Sequence, residues 1–573
     1  MNFFEKLIKK ENFWPLLVVF ILGMLAGRSL IFQSGYFNMH DDLQMMRQLQ
    51  MEKCFSDNQI PCRWVPDMGY GYGFPLFNFY PPLPYLIGQV FRILSFSFID
   101  TAKLTFALSF IVSGFTMYYL AKEFFGKWGG VVSSAFYIWA PYHSVDVYVR
   151  GAMNEAWALA WFPLILWCGY RLIVEKKKSS SWIVALSLSW VALLLSHNLM
   201  VMIFTPVFAF WCLMIWLKDK NIKKVFHLVI SGLFALILAA FFTLPAIFEQ
   251  NFIHVDTLTQ GYYEYIAHYA TIGQLIISRF WGYGPSIWGP KDGMPFQLGH
   301  LHWILSLVTM ALSTIFIYKH KKFESYFKFT FFAIAFAWFA SFMTHQNSTV
   351  IWQKIHPMAF VQFPWRFLAL AILGFSLASG ANVKLISKKY LDLTTFGLIS
   401  ILLILNWNYF VPQGGKMGPL TDKEKFEGTA WNLQRTAGIF DYLPNTAELN
   451  PKDPQTSLVD AINGTAQFSG QSQGTNWVKF DVDANTDLTA RINIFQFPNW
   501  VIKVDGLVVE GSVPKDEKYG RIYVQIPKGK HSSKMDLMNT KIREYANFTS
   551  LVGWLVLLPL FWLNKKKLDE KLS

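Results

Sequence analysis

Apolar positions in this chain do not recur at a helical or strand spacing over most of its length; they run on almost unbroken. Such runs lie near 13–33, 102–121, 129–142, 156–174, 181–196, 199–217, 225–248, 301–318, 327–343, 367–383, 392–410 and 548–564. A helix needs ~20 mainly apolar residues to cross a bilayer, so the pattern predicts about twelve spans. A thirteenth run, 81–98, opens with Pro81, Pro82 and Pro84 and carries Gln89 and Arg92. It predicts a re-entrant or interfacial helix. After 411 the pattern changes. Residues 477–483, 490–496, 499–504 and 521–526 alternate or are rich in β-branched residues, and Asp505-Gly506 is a hairpin signal before Leu507. A β-sandwich-like domain is expected there, with a less regular lead-in from 411 to about 475.

Composition sharpens the class. Of 573 residues, 53% are hydrophobic and 15% charged, whereas a soluble protein carries about 25% charged residues. A soluble globular enzyme, a disordered chain and a collagen-like chain are excluded. The net charge of +14 needs no nucleic-acid partner, because Lys and Arg collect in cytoplasmic loops. The cations do cluster: Lys6, Lys9 and Lys10; Lys122 and Lys127; Arg171 and Lys176 to Lys178; Lys218 to Lys224; Lys319 to Lys328; Lys384 to Lys389; Lys565 to Lys571. With twelve spans and 81–98 not spanning, all seven clusters fall on one side. Both termini are then cytoplasmic, and the first helix reads as an anchor rather than a cleaved signal. The expected organisation is a membrane domain over 1–410 with a first outer loop at 34–101, an extracytoplasmic β-rich domain over 411–547, and a final span with a basic tail over 548–573.

The chemistry-bearing residues all fall on the outer face. His40-Asp41-Asp42 begins the first loop. A carboxylate pair at a membrane boundary is costly unless used; it suits either a general base beside an orienting or metal-binding partner, or a plain helix N-cap. Arg150 and Glu155 sit together at the outer end of a span. They fit a phosphate-binding cation with a second carboxylate, or a structural ion pair. Arg63, Asp67, Tyr70, His197, His300 and Arg366 are further outer-face candidates for binding substrate or phosphate, with His40 and Arg150. Asp41, Asp42 and Glu155 could hold Mg²⁺ or Mn²⁺. Cys54 and Cys62 share an oxidising loop and are a candidate disulfide; Cys168 and Cys212 lie inside spans. No CxxC pair occurs.

One span, an acidic outer loop, a Pro-rich re-entrant helix and then many spans resembles the GT-C fold of membrane glycosyltransferases. More closely, Pro66-Asp67-Met68-Gly69-Tyr70-Gly71-Tyr72-Gly73-Phe74-Pro75, the Arg150–Glu155 segment, Ser196-His197-Asn198 and Gln362-Phe363-Pro364-Trp365-Arg366 resemble the bacterial membrane family labelled pyruvoyl-tetrahydropterin synthase-related. The tail around Phe497-Pro498-Asn499-Trp500 resembles that of YfhO-like membrane proteins. No compact soluble domain with a His-rich zinc set is visible, so the pterin label implies no pterin chemistry. The resemblance implies an inverting glycosyltransferase on the outer face of the cytoplasmic membrane. Its donor would be a polyprenyl-phosphate sugar and its acceptor a glycan or cell-envelope polymer. By position, Asp41 or Asp42 matches the first-loop acid and Glu155 the second-loop acid. Two rival readings are a transporter or flippase for a lipid-linked glycan, and a non-catalytic scaffold of envelope assembly. The near absence of charges deep within the spans counts against the transporter.

Overall fold

A computed structural model of the chain describes residues 10–175, 179–289, 291–415 and 417–569. Lys6, Lys9, Lys176, Lys177, Lys178 and Lys571 lie outside the described residues. The described residues between 10 and 410 are mainly helical, and each of the twelve apolar runs falls largely on helix. Among the described residues seven helices are long and apolar enough to cross a membrane, and the pair Ile222–Leu238 and Ala240–Phe248, bent by 80°, makes an eighth if it is one broken span. The helix Leu83–Ile93 has 11 residues. At 1.5 Å per residue it is too short to cross ~30 Å of hydrocarbon, as its prolines implied.

The stretch Phe98–Ile138 contains a reversal at Gly126, whose φ is 77° and ψ −176°, a conformation favouring glycine. Ser134 Oγ donates to the Gly114 carbonyl at 2.9 Å. In one straight helix those residues would lie about 30 Å apart. The stretch is therefore a helical hairpin, matching the separate apolar runs 102–121 and 129–142.

The first loop is built rather than loose. Helix Gln44–Ser56 buries the polar side chains Gln44, Arg47, Gln48 and Gln50, and Gln44 and Gln48 are paired with helix Leu83–Ile93. Tyr85 donates to Gln44 Oε1 at 2.6 Å, and Gln48 donates to Gln89 at 3.0 Å. Cys54 and Cys62 form a disulfide; Cys168 and Cys212 are buried free thiols. The glycine-rich turn folds through positive φ at Gly69, Gly71 and Gly73. A Cβ on Gly73 would lie 2.3 Å from Trp64 Nε1, so that position admits no side chain.

The C-terminal region holds eight strands in two antiparallel sheets: β1 (Val459–Asn463), β4 (Leu488–Phe495) and β7 (Arg521–Ile526) in one, and β2 (Ala466–Gln473), β3 (Trp477–Ala484), β8 (Gly529–Leu537), β5 (Trp500–Val504) and β6 (Leu507–Val509) in the other. On β3, Val478, Phe480, Val482 and Ala484 are buried, while Lys479, Asp481 and Asp483 face out. Asp505 and Gly506, both at positive φ, turn β5 into β6. The lead-in is ordered too. A capping box at Thr421 and Glu424 starts helix Asp422–Lys425. Asp422 in turn caps the hairpin's first helix, accepting from the Phe98 and Ile99 amides at 2.7 and 3.0 Å. The lead-in thus docks on the membrane domain. The chain closes with helix Lys541–Asp569.

Candidate functional site

The docked lead-in roofs a cavity of about 1200 Å³ at one end of the helical bundle. Its wall is assembled from distant segments, and backbone pairing sets the register. The His40 amide donates to the Val149 carbonyl at 3.0 Å and the Asp41 amide to the Arg150 carbonyl at 2.8 Å. Gly151, at φ 63°, follows, and a Cβ there would lie 2.1 Å from Met39 Sδ. The absent side chain lets the two segments touch, which brings the acidic pair of the first loop beside Arg150.

The carboxylates are each held by a cation. Arg47 Nη1 donates to Asp41 Oδ2 at 2.7 Å. The Arg47 guanidinium also stacks 4.3 Å from the Tyr80 ring. Lys425, from the roof, reaches Asp42 Oδ2 at 2.5 Å. The Asp41 side chain is 32% exposed. Asp42 Oδ1 is shielded and has no hydrogen-bond partner, and burial raises the pKa of this carboxyl, against the pull of Lys425.

Deeper in the wall, Glu155 is fully buried. It accepts from the Tyr142 hydroxyl at 2.6 Å and meets Arg150 Nη1 at 2.8 Å, Arg366 Nε at 3.6 Å and His197 Nε2 at 4.0 Å. Arg150 also pairs with Asp146. Burial, and then the neighbouring Glu155, pushes Asp146 well above the usual carboxylate range. Arg150 lies 4.4 Å from the Trp365 ring. Burial lowers His197 to about 3 and His40 to about 4, so both imidazoles are neutral at physiological pH.

Of the residues singled out from sequence, His40, Asp41, Asp42, Arg150, Glu155, His197 and Arg366 all line this cavity. Four do not. Arg63 turns to another polar cluster, donating to Asn547 Oδ1 at 2.7 Å and Asn78 Oδ1 at 3.1 Å. Asp67 is taken up by Lys53 at 2.5 Å and Gln50 at 2.7 Å. Tyr70 serves through its backbone, whose carbonyl accepts from Arg435 at 2.8 Å and from the Gln455 amide at 3.1 Å. The glycine-rich turn is thus a dock for the C-terminal region, because its positive-φ residues expose carbonyls that a regular element would consume. His300 begins helix His300–His320 and meets the Ile277 carbonyl at 3.2 Å.

The suggested metal set is not assembled either. Among the described residues no group of three His, Cys, Asp or Glu could hold an ion. Asp41, Asp42 and Glu155 each face a cationic side chain instead. They are the anionic partners in three ion pairs.

The cavity adds residues that the sequence reading missed, Arg47, Lys425, Asp441 and Tyr263, and behind its wall Tyr142 and Asp146 hold Glu155 and Arg150. Asp146 stands four residues before Arg150, a spacing that places two side chains on one helical face. Lys425 and Asp441 offer no local signal, since their partners lie hundreds of residues away. Burial raises Asp441 to about 6. The folded carboxyl therefore keeps its proton to higher pH than the unfolded one, so stability falls as pH rises from about 4 to about 6 and levels off above. Asp441→Asn removes that slope. The wild-type melting temperature is expected to drop relative to D441N across this window, and parallel profiles would contradict the burial of this group.

Comparison with known proteins gives three findings. Residues 77–411 match the family described as 6-pyruvoyl-tetrahydropterin synthase related domain, membrane protein. An uncharacterized protein of Lactococcus lactis is 22% identical over 248 residues, which cover 41% of this chain and 40% of that protein. Among solved structures, ArnT from Cupriavidus metallidurans in the apo state is 13% identical with a TM-score of 0.39, covering 68% of this chain and 63% of its own. The oligosaccharyltransferase AglB from Archaeoglobus fulgidus, in complex with an inhibitory peptide and a dolichol-phosphate, is 13% identical with a TM-score of 0.42, covering 80% and 62%. The chain spans under two thirds of the length of each of these relatives. The profile match covers more than half of the sequence, and the chain belongs to the 6-pyruvoyl-tetrahydropterin synthase-related family of membrane proteins.

Proposed function

We propose that this protein is an inverting glycosyltransferase that takes a sugar from a polyprenyl-phosphate donor at the extracytoplasmic face of the cytoplasmic membrane. One observation carries the reading: an accessible acid, Asp41, and a buried two-arginine cluster, Arg150 and Arg366, line the same cavity at the end of the helical bundle. The first is what a base for an acceptor hydroxyl requires. The second is what a departing phosphate requires.

The reaction is a single displacement. The acceptor oxygen attacks the anomeric carbon from the face opposite the phosphate. Its proton passes to Asp41, the bond from the anomeric carbon to the phosphate oxygen breaks, and that oxygen keeps the electron pair. The two side chains are similarly exposed, 32% for Asp41 and 38% for Asp42; Asp41 is preferred because one oxygen of Asp42 is held by Lys425 and the other is shielded. Asp42 positions the roof through Lys425. Both deep guanidiniums hydrogen-bond through Nη1, which leaves Nη2 to meet the phosphate. Tyr262 and Tyr263 offer aromatic rings along the wall on which a sugar ring can stack. No step passes through a metal.

The sidedness rests on charge. Arg171, at the opposite end of the helix that begins beside Glu155, pairs with Glu123 next to the Gly126 turn. This basic end faces the cytoplasm by the positive-inside rule, so the cavity faces out.

The test compares two neighbours. Asp41→Asn should lower kcat and leave donor affinity intact. Asp42→Asn should chiefly raise KM, because it loosens the roof. Equal kcat losses in both, or a loss confined to D42N, would reassign the base.

A further inference from the structure

A second, smaller cavity of about 120 Å³ lies where the disulfide-closed loop, the start of the last helix and the β-domain meet. Asn58, Gln59, Arg63, Asn476, Arg543 and Asn547 contribute to its lining. It shares no residue with the main cavity. Its polar groups are strongly biased in charge. Arg63 and Arg543 are 6% and 1% exposed, and the buried carboxylate beside them is Glu249. Glu249 is already fully used: it accepts from Arg543 Nε at 2.9 Å, Asn78 at 2.9 Å and the Thr540 hydroxyl at 2.5 Å. Asp57, on the neighbouring loop, is turned to Thr475 at 2.6 Å and Trp477 at 2.9 Å. Two guanidiniums therefore face one carboxylate, leaving one positive charge in excess. Arg543 Nη2 and Arg63 Nε are buried with no hydrogen-bond partner.

A buried cation without a counter-charge is expensive, and a buried donor without an acceptor costs the desolvation of that group. The charge excess is offset if an oxyanion sits in this cavity, against the parts of Arg63 and Arg543 that line it. Planar guanidiniums suit tetrahedral oxyanions, and the asparagine side chains around the rim add neutral donors. One bound water needs ~10–15 Å³ of such volume, so the space has room for roughly ten waters, enough for a phosphate-sized oxyanion with part of its hydration. We infer that this cavity is a binding site for a single phosphate-sized oxyanion, which ties the first loop to the last helix. The disulfide between Cys54 and Cys62 brackets the wall segment that carries Asn58 and fixes it beside Arg63.

Full-length protein in phosphatidylcholine nanodiscs would be titrated calorimetrically with inorganic phosphate at constant ionic strength. Saturable binding is expected. It should weaken by at least about tenfold, equivalent to 1.4 kcal/mol, in Asn58→Asp. That change places a negative charge on the rim, disturbs no buried pair, and suits the positive φ of residue 58. Arg543→Lys should weaken this binding similarly; Arg366→Lys weakens any separate phosphate binding in the main cavity and should leave the N58D-sensitive isotherm unchanged. Repeating the titration in phosphatidylglycerol nanodiscs separates sources. Unchanged binding assigns a soluble oxyanion, whereas competition by the lipid assigns a headgroup phosphate. Absence of saturable binding, or binding untouched by N58D and abolished by R366K, would overturn the site.

Discussion

Asp41→Asn is expected to reduce glycosyl transfer by about 10²- to 10⁴-fold, the usual contribution of a positioned general base, with some fall in melting temperature because the buried Arg47 loses its paired carboxylate. The asparagine is isosteric, its amide still meets the Arg150 carbonyl, and its side-chain oxygen still accepts from Arg47. It cannot take a proton from a hydroxyl. Single-turnover rates with a labelled donor isolate this step from binding and release. A variant that turns over at a tenth of the wild-type rate or faster would show that the proton goes elsewhere.

The largest stability effect is expected at Glu155. Its carboxylate is buried among Arg150, Arg366 and Tyr142. Removing one member of a buried ion cluster leaves charge without compensation and costs about 3–5 kcal/mol. Glu155→Ala should therefore lower the melting temperature strongly in detergent, and Glu155→Gln less, because the amide still accepts from Tyr142. Transfer should fall in both, since the guanidiniums lose the group that orients them. If E155A melts like the wild type, water reaches the cluster and its arginines are not held for a phosphate in the way described above.

The helical segments were legible because lipid imposes a length and a composition that no other constraint mimics; even the turn at Gly126 shows as a gap between two apolar runs. The strands β3, β4, β5 and β7 carry branched or alternating apolar residues. β2 and β8 do not: Ala466-Gln467-Phe468-Ser469-Gly470-Gln471-Ser472-Gln473 and Gly529-Lys530-His531-Ser532-Ser533 are polar stretches whose strand form comes from pairing with β3. The site divides the same way. Asp41, Asp42, Arg150, Glu155, His197 and Arg366 stood out as charged or polar residues at the ends of apolar runs. Lys425 and Asp441 did not, because only the docking of the lead-in gives them partners. The glycine-rich turn misled in the opposite direction. Its spacing drew attention to Asp67 and Tyr70, yet what that turn offers is backbone carbonyls for the β-domain to hold.

The most direct measurement is turnover of the donor. Purified protein in nanodiscs would be mixed with a panel of polyprenyl-phosphate sugars and glycan acceptors, with and without EDTA, and release of free polyprenyl phosphate followed. The account predicts release with at least one donor, insensitive to EDTA, inverted at the anomeric carbon and lost in D41N. Release that survives D41N, or donors that cross the bilayer unreacted in the presence of folded protein, would contradict it.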